Sequence, residues 1–98
     1  MEALQAALAR DPEQPQFNMN LATIYRRQQR WAQAVPHYEA ALRGTNDTGA
    51  MFDLAYCYEQ LHRRDDAVRM YRRYIQAVGD RDPDGAARAE ERLNTLGE

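Results

Sequence analysis

The feature that most constrains this chain is a repeat at an interval of thirty-three residues. Seven residues of the first copy recur at that offset in the second. The first copy carries Leu21, Ala22, Tyr25, Arg30, Ala34, Val35 and Tyr38, and the second carries Leu54, Ala55, Tyr58, Arg63, Ala67, Val68 and Tyr71. A period of this length is typical of a two-helix unit that cannot bury its apolar face alone and therefore stacks on copies of itself. A functional surface is expected on the stack rather than within one unit.

Apolar residues in each copy follow the spacing of two helices joined by a short turn. In the first copy the apolar positions of residues 16–28 and of residues 31–43 each recur at helical intervals. Only Gln29 and Arg30 separate these segments, so the two helices must run antiparallel as a hairpin. Ala34 and Ala67, which lack bulk, are predicted to be the contact residues of the two hairpins. The sequence therefore predicts an all-α fold of stacked antiparallel hairpins.

The spacing within each copy resembles the pattern of the tetratricopeptide repeat (TPR) family. Its core is a Leu with a small residue directly after it, a Tyr three residues on, an Ala nine beyond that and an aromatic four beyond the Ala. The resemblance covers Pro15 to Gly79 and implies a TPR-type α-solenoid with two full repeats. The glycine usual in the turn of each hairpin is replaced by Gln29 and His62. Those turns must therefore avoid positive φ or strain into it.

The 98 residues are expected to form a single domain. Its predicted parts are a partial N-terminal repeat over 1–12, full repeats over 15–47 and 48–80, and a C-terminal capping helix over 83–97. The partial repeat carries Leu4, Ala7 and Leu8 and looks like the second helix of a unit whose first helix is missing. This suggests a segment cut from a longer protein, with a short natural N-terminal cap as the alternative.

Residues that start and stop helices agree with these boundaries. Gly44 is predicted to end a helix in the left-handed conformation, and Asp47 or Thr48 to cap the next one. Gly79 is predicted to end the fourth long helix. The Asp-Pro-Asp sequence at 82–84 then opens the last helix with a cap, a proline and an acid.

Residues with catalytic or ligating chemistry are few and poorly placed for it. His37 and His62 belong to no metal-ligand spacing, and the sequence has no Gly-rich phosphate loop. His37 is expected to face solvent and His62 to fill a turn. The single Cys57 is interpreted as a buried structural thiol. The sequence therefore predicts no enzyme activity, no catalytic residue, no metal and no cofactor.

Charge and hydropathy indicate the kind of partner and the compartment. Thirteen basic residues, all arginine, stand against fifteen acids, and the net charge of −2 argues against nucleic acid as a partner. The sequence has no run of eighteen apolar residues and no signal-peptide pattern, which argues against a membrane and favours a cytoplasmic location. The arginine bias is what a GC-rich coding sequence produces and hints at a bacterial source.

The family resemblance implies a concave groove, lined by the first helix of each repeat, that binds peptides of partner proteins. The side chains that it assigns to the groove are Gln16, Met19, Asn20, Thr23, Arg26, Arg27, Phe52, Asp53, Tyr56, Glu59 and Gln60. Helical spacing supports this set, because one stripe opposite Leu21 and Tyr25 is formed by Met19, Thr23, Arg26 and Arg27.

An aromatic anchor and an arginine are predicted to dominate binding in this groove. Phe52 and Tyr56 can hold an apolar side chain of the partner, and Arg26 or Arg27 can bind its carboxylate. The alternative is that Phe52 and Tyr56 only cover the preceding hairpin. The chaperone-tail clamp of some TPR proteins wants Lys and Asn where this chain has Met19 and Thr23, so that specificity is not expected.

A cluster of arginines on and before the fourth helix forms a second candidate surface. Its members are Arg63, Arg64, Arg69, Arg72 and Arg73, with the acids Asp65, Asp66, Glu90 and Glu91 expected nearby. The acids can neutralise the arginines locally. The alternative is docking to an acidic protein or, less favoured, to nucleic acid or anionic lipid, which salt dependence would distinguish.

Taken together, these patterns predict a non-catalytic protein–protein interaction module. It would act as an adaptor or scaffold segment of a larger bacterial protein and bind a protein or peptide partner in its groove. The alternative is self-association through exposed repeat ends, because two full repeats are at the margin of what an array needs for stability. Leu4 and Leu8 would then form the seam between copies.

Overall fold

A computed structural model describes residues 15–97, which form five α-helices joined by short turns. The helices are α1 (Pro15–Arg27), α2 (Trp31–Gly44), α3 (Thr48–Gln60), α4 (Arg64–Val78) and α5 (Pro83–Thr95). No strand occurs in this part of the chain. The predicted all-α, helical-repeat fold is therefore confirmed. The predicted partial repeat over 1–12, with the seam residues Leu4 and Leu8, lies outside the described residues.

The turns within the two hairpins share one backbone conformation. Gln29 and His62 have φ values of 61° and 60°. The amide of Arg30 bonds to the carbonyl of Tyr25 at 2.8 Å, and the equivalent bond in the second turn is 2.9 Å long. This is the Schellman arrangement, in which a residue just past the helix adopts the left-handed region. Both turns therefore strain into positive φ, at a cost of about 1–2 kcal/mol each for a residue with a Cβ.

Small and large side chains at equivalent positions form the core of the stack. Ala34 of α2 and Ala67 of α4 are fully buried, which lets the helices of each hairpin approach closely. Tyr38 and Tyr71, four residues further along these helices, are also fully buried. Truncating a buried aromatic side chain of this size to alanine typically costs about 3–5 kcal/mol. The residues repeated at the thirty-three-residue interval therefore pack in the same way in both hairpins.

The α2–α3 connection confirms one prediction and overturns another. Asp47 caps α3, with its carboxylate accepting a hydrogen bond from the amide of Ala50 at 3.1 Å. Gly44, in contrast, ends α2 without positive φ, so its predicted left-handed conformation is wrong. A Cβ on Gly44 would lie 2.6 Å from Cγ of Pro15. The glycine is needed there because α1 begins against the end of α2.

The last helix is docked on α4 and begins as the sequence predicts. Gly79 ends α4 with φ +52°, and the carboxylate of Asp82 accepts a hydrogen bond from the amide of Gly85 at 2.9 Å. Gly85 is buried, and a Cβ there would clash with the hydroxyl of Tyr74. Ala89 is fully buried one turn later. Small residues therefore bring α5 against the second hairpin.

Candidate functional site

A charged pair on a buried tyrosine joins the first predicted groove helix, α1, to the second, α3. Arg26 Nε donates to the hydroxyl of Tyr38 at 3.0 Å and lies 3.6 Å from Oδ2 of Asp53. The Tyr38 hydroxyl donates to the same carboxylate at 3.4 Å and also bonds to Thr23. Burial raises the pKa of Asp53, although Arg26 and Tyr38 act in the opposite direction. Arg26, Asp53 and Thr23 are therefore engaged within the protein.

A second charged pair joins α3 to α5 on the equivalent tyrosine. Arg92 donates through Nε to Oε1 of Glu59 at 3.1 Å and through a terminal nitrogen to the other oxygen of the carboxylate. The hydroxyl of Tyr71 donates to Oε1 of Glu59 at 3.0 Å. Two parallel N–H···O bonds make this a bidentate pair, the stronger and more directional form. Glu59, a predicted groove residue, therefore forms a structural contact to α5.

The two aromatic side chains predicted to anchor a partner contact different hairpins. The ring of Phe52 meets Tyr71 and Tyr74 edge-on, with centroids 5.4 and 5.2 Å apart, and so covers its own hairpin. Tyr56 meets Trp31 of the preceding hairpin edge-on at 5.6 Å. Both side chains are half-buried, so each ring keeps an exposed part. The packing fixes their orientation while it leaves surface for a ligand.

The remaining predicted groove residues are less engaged. Gln16 and Met19 line a small cleft of about 60 Å³ at the start of α1, beside the α2–α3 connection. Asn20 and Gln60 are half-buried. Arg27 is exposed and forms no hydrogen bond or ion pair with any residue of the range 15–97. Arg27 is thus a predicted site arginine whose guanidinium remains available.

Several side chains that shape this surface were not among the predicted site residues. Trp31 supports Tyr56, and Arg88 of α5 places its guanidinium 5.8 Å from the ring centroid of Phe52. The hydroxyls of Tyr38 and Tyr71 orient both charged pairs, although the sequence indicated only their core role. Arg92 lies thirty-three residues after Glu59, so the repeat interval itself was a signal for this contact.

The histidine and cysteine on the described helices have structural surroundings. The ring of His37 stacks on Tyr25 at 5.6 Å, and its Nδ1 lies 3.0 Å from Oδ1 of Asn18. The expectation that His37 faces solvent is therefore wrong, because α1 covers it, and burial lowers its pKa. Cys57 is fully buried, as predicted, and burial raises the pKa of its thiol to about 12. Within residues 15–97, no group of His, Cys, Asp and Glu side chains is arranged to hold a metal ion.

The arginine cluster at the start of α4 is partly neutralised by its own acids. Arg63 donates to Asp66 through Nε at 2.8 Å, and Arg69 binds the other oxygen of that carboxylate. Arg64 lies 3.6 Å from Asp65. Burial would raise the pKa of Asp66, but the two arginines that bond to it lower it below its ordinary value. Local neutralisation thus accounts for three of the five arginines of this cluster.

Comparison with known proteins identifies the family to which the chain belongs. Residues 13–78, more than half of the chain, match the family model described as tetratricopeptide repeat. No curated protein gives a match to the chain. Each helix within residues 15–97 falls short of the length and apolar character that a membrane span requires.

Proposed function

Because the chain belongs to the tetratricopeptide repeat family, whose repeats generally mediate protein–protein interactions, we propose that it binds a peptide or helix of a partner protein. The proposed site is the concave groove formed by α1 and α3. The observation that carries the proposal is a contrast among the side chains of the groove. Some are bonded to other residues of the protein, whereas others can still contact a partner. Arg26, Asp53 and Glu59 bind within the protein, whereas Arg27 stays available and Tyr56 keeps an exposed part of its ring.

Recognition in this groove would combine one apolar and one charged contact. Tyr56 is already held by Trp31, so an apolar side chain of the partner can pack on it with little loss of side-chain entropy. Arg27 can donate two parallel hydrogen bonds to a carboxylate of the partner. Since Arg26 is bonded to Tyr38 and paired with Asp53, the proposal assigns the carboxylate to Arg27 alone.

The role proposed for this binding is that of an adaptor or scaffold segment in a larger bacterial protein of the cytoplasm. The family is typically a non-catalytic interaction module, which supports a role without chemistry of its own. Self-association through Leu4 and Leu8 stays an alternative prediction, because these residues lie outside the described range. Light scattering over a concentration series would reveal it as a mass that grows with concentration.

Selection of a displayed library of random peptides on the immobilised protein tests the proposal. A selected peptide should lose at least about tenfold in affinity with Tyr56→Ala and with Arg27→Glu, which is the effect expected of hot-spot contacts. The matched controls are Met70→Ala and Arg73→Glu, which change the side of the molecule formed by α2 and α4. Circular dichroism should show unchanged helicity in all four variants. Equal affinity of the groove variants and wild type for every selected peptide would exclude the groove as a site.

A further inference from the structure

Two adjoining clefts lie along α4, the first between α2 and α4 and the second between α4 and the start of α3, on residues that the groove does not use. The first has a volume of about 370 Å³ and a floor that includes Leu42, Leu54 and Met70. The second, of about 380 Å³, includes Met51 and Ala77. Arg73 lines both, so the clefts meet at its side chain. Both volumes fall in the range of small ligand sites, large enough to receive side chains of a binding segment.

The edges of these clefts carry an excess of positive charge. Arg43 lines the first cleft, Arg81 lines the second, and Arg73 is shared. Arg73 is exposed and has no hydrogen bond or ion pair within the described part of the chain. Arg81 donates to the carbonyl of Ala77 at 2.6 Å, which holds it beside the second cleft.

The single carboxylate among the described residues that line the clefts is already bonded. Glu39 accepts a hydrogen bond from the hydroxyl of Tyr58 at 2.7 Å, and that carboxylate is a major reason, after burial, for the raised pKa of Tyr58. This carboxylate forms no ion pair with Arg73, and three arginines against one carboxylate leave the described lining of the clefts with net positive charge. A ligand with negative charge would complement it.

We propose that these clefts form a second docking site, which binds an acidic segment of a partner protein that also carries apolar side chains. Carboxylates of the segment would bind Arg73 and Arg81, and its apolar side chains would pack on Leu42, Leu54 and Met70. A nucleic acid could satisfy the arginines, but its phosphate backbone would leave the apolar floor without a counterpart, so the floor favours a polypeptide. This site uses neither Tyr56 nor Arg27 and is independent of the groove.

Fluorescence anisotropy with a synthetic acidic peptide tests this site. The probe is a fluorescein-labelled peptide of about twelve residues, composed of glutamates with two leucines four positions apart. It should bind at low ionic strength with an affinity typical of a small, transient interface. Arg73→Glu should weaken binding at least about tenfold, because attraction becomes repulsion at the point shared by the clefts. Arg30→Glu, which makes the same change of charge at the turn between α1 and α2, outside both sites, should stay within about twofold of wild type.

Two further measurements separate this site from general electrostatics and from the groove. Replacing the leucines of the probe with serines should weaken binding at least about fivefold, because the apolar floor then has no partner. Tyr56→Ala should leave the acidic peptide bound, so failure of the groove and failure of this site are distinguishable. Circular dichroism verifies that each variant is folded.

Four outcomes would overturn the proposal. They are no saturable binding of the acidic peptide, equal weakening by Arg73→Glu and Arg30→Glu, full binding of the serine peptide, and tighter Arg73-dependent binding of a single-stranded oligonucleotide than of the peptide. The last outcome would assign the clefts to nucleic acid, whose affinity would fall steeply with salt.

Discussion

The junction of α1 with α3 and the junction of α3 with α5 both place a charged side chain on a buried tyrosine at equivalent positions of the repeat, but with opposite charge. Arg26 and Glu59 are thirty-three residues apart, and so are the tyrosines beneath them, Tyr38 and Tyr71. In the first junction the earlier helix supplies the cation, and in the second it supplies the anion. The repeat thus sets the position of the earlier partner and of its tyrosine, but neither the charge of that partner nor the position of the later partner, which is Asp53 in one junction and Arg92 in the other.

The two junctions also differ in tightness. Arg26 contacts both of its partners through a single nitrogen, and the side chains of Arg26 and Asp53 are 31% and 29% exposed. Arg92 binds Glu59 through two nitrogens, and the Glu59 side chain is only 10% exposed. Glu59 therefore depends more strongly on Arg92 than Asp53 does on Arg26, because Glu59 without its cation would be a nearly buried, uncompensated charge. The comparison teaches that α5 is held on α3 by a stronger polar contact than the one that joins α1 to α3.

Reversing the charge of the second junction should have the largest effect. Glu59→Arg places two arginines together beside Tyr71 and should lower the free energy of unfolding by about 3 kcal/mol. Combining it with Arg92→Glu gives this junction the charge order of the first and should recover at least half of that loss. Urea denaturation of the two single variants and the double variant measures the coupling. A double variant no more stable than Glu59→Arg would show that the sign of the pair is fixed by its surroundings.

Replacing either arginine with alanine should lower the free energy of unfolding by less than the charge reversal does, and by different amounts at the two junctions. Arg92→Ala leaves Glu59 almost buried without its cation and should cost about 2 kcal/mol. Arg26→Ala should cost about 1 kcal/mol, because Asp53 is more exposed and keeps the Tyr38 hydroxyl. Thermal unfolding of both variants compares them. If Arg26→Ala proves more destabilising than Arg92→Ala, the α3–α5 junction is not the tighter of the two.

Removing the tyrosine hydroxyls tests the support beneath each pair. Tyr71→Phe deletes a 3.0 Å bond to a carboxylate and should cost about 1.5 kcal/mol. Tyr38→Phe deletes a longer bond, of 3.4 Å, to Asp53 and an acceptor for Arg26, and should cost about 1 kcal/mol. Both rings remain in the core, so helicity should not change. Equal losses, measured by urea denaturation, would mean that bond length does not rank the two contacts.

The smallest expected effect is a pH dependence at the first junction. Burial raises the pKa of Asp53, so the folded protein holds this proton to a higher pH than the unfolded chain. Its stabilising contribution is therefore complete below the ordinary aspartate pKa of about 3.9 and is lost as pH rises through the folded-state value. The side chain of Asp53→Asn does not titrate, so this variant serves as the reference. Relative to it, the free energy of unfolding of wild type should fall by up to about 0.5 kcal/mol between acidic and neutral pH. A relative gain for wild type would mean that attraction to Arg26 outweighs burial.

Features that depend on neighbouring residues in the chain could be predicted from the sequence. Asp47 and Asp82 cap helices through amides three residues on, so their role is readable locally. The strain at Gln29 and His62 follows from the position of the turn within the repeat. The fold was predictable for the same reason, because both copies of the repeat carry the same local pattern of helices and turn.

Features that depend on which helices meet could not be read in the same way. The role of Gly44 requires knowing that Pro15 lies against it, and the burial of His37 requires knowing that Tyr25 covers it. In the candidate site, helical spacing placed Arg26 and Arg27 on one face. Only the packing of α1 beside α3 shows that Arg26 is already bonded, while Arg27 has no such partner among residues 15–97.

The reversed sign of the two junctions limits how this array could grow by gene duplication. A second copy of residues 48–80, inserted directly after the first, would bring its own α3 to the place now held by α5. Glu59 would then face acids at both equivalent positions, those of Asp53 and of Glu59 itself, and would lose Arg92. Like charges in a partly buried site oppose stacking, and the melting temperature of such a tandem chain would reveal this. Lengthening the array therefore requires a change of charge together with each added unit.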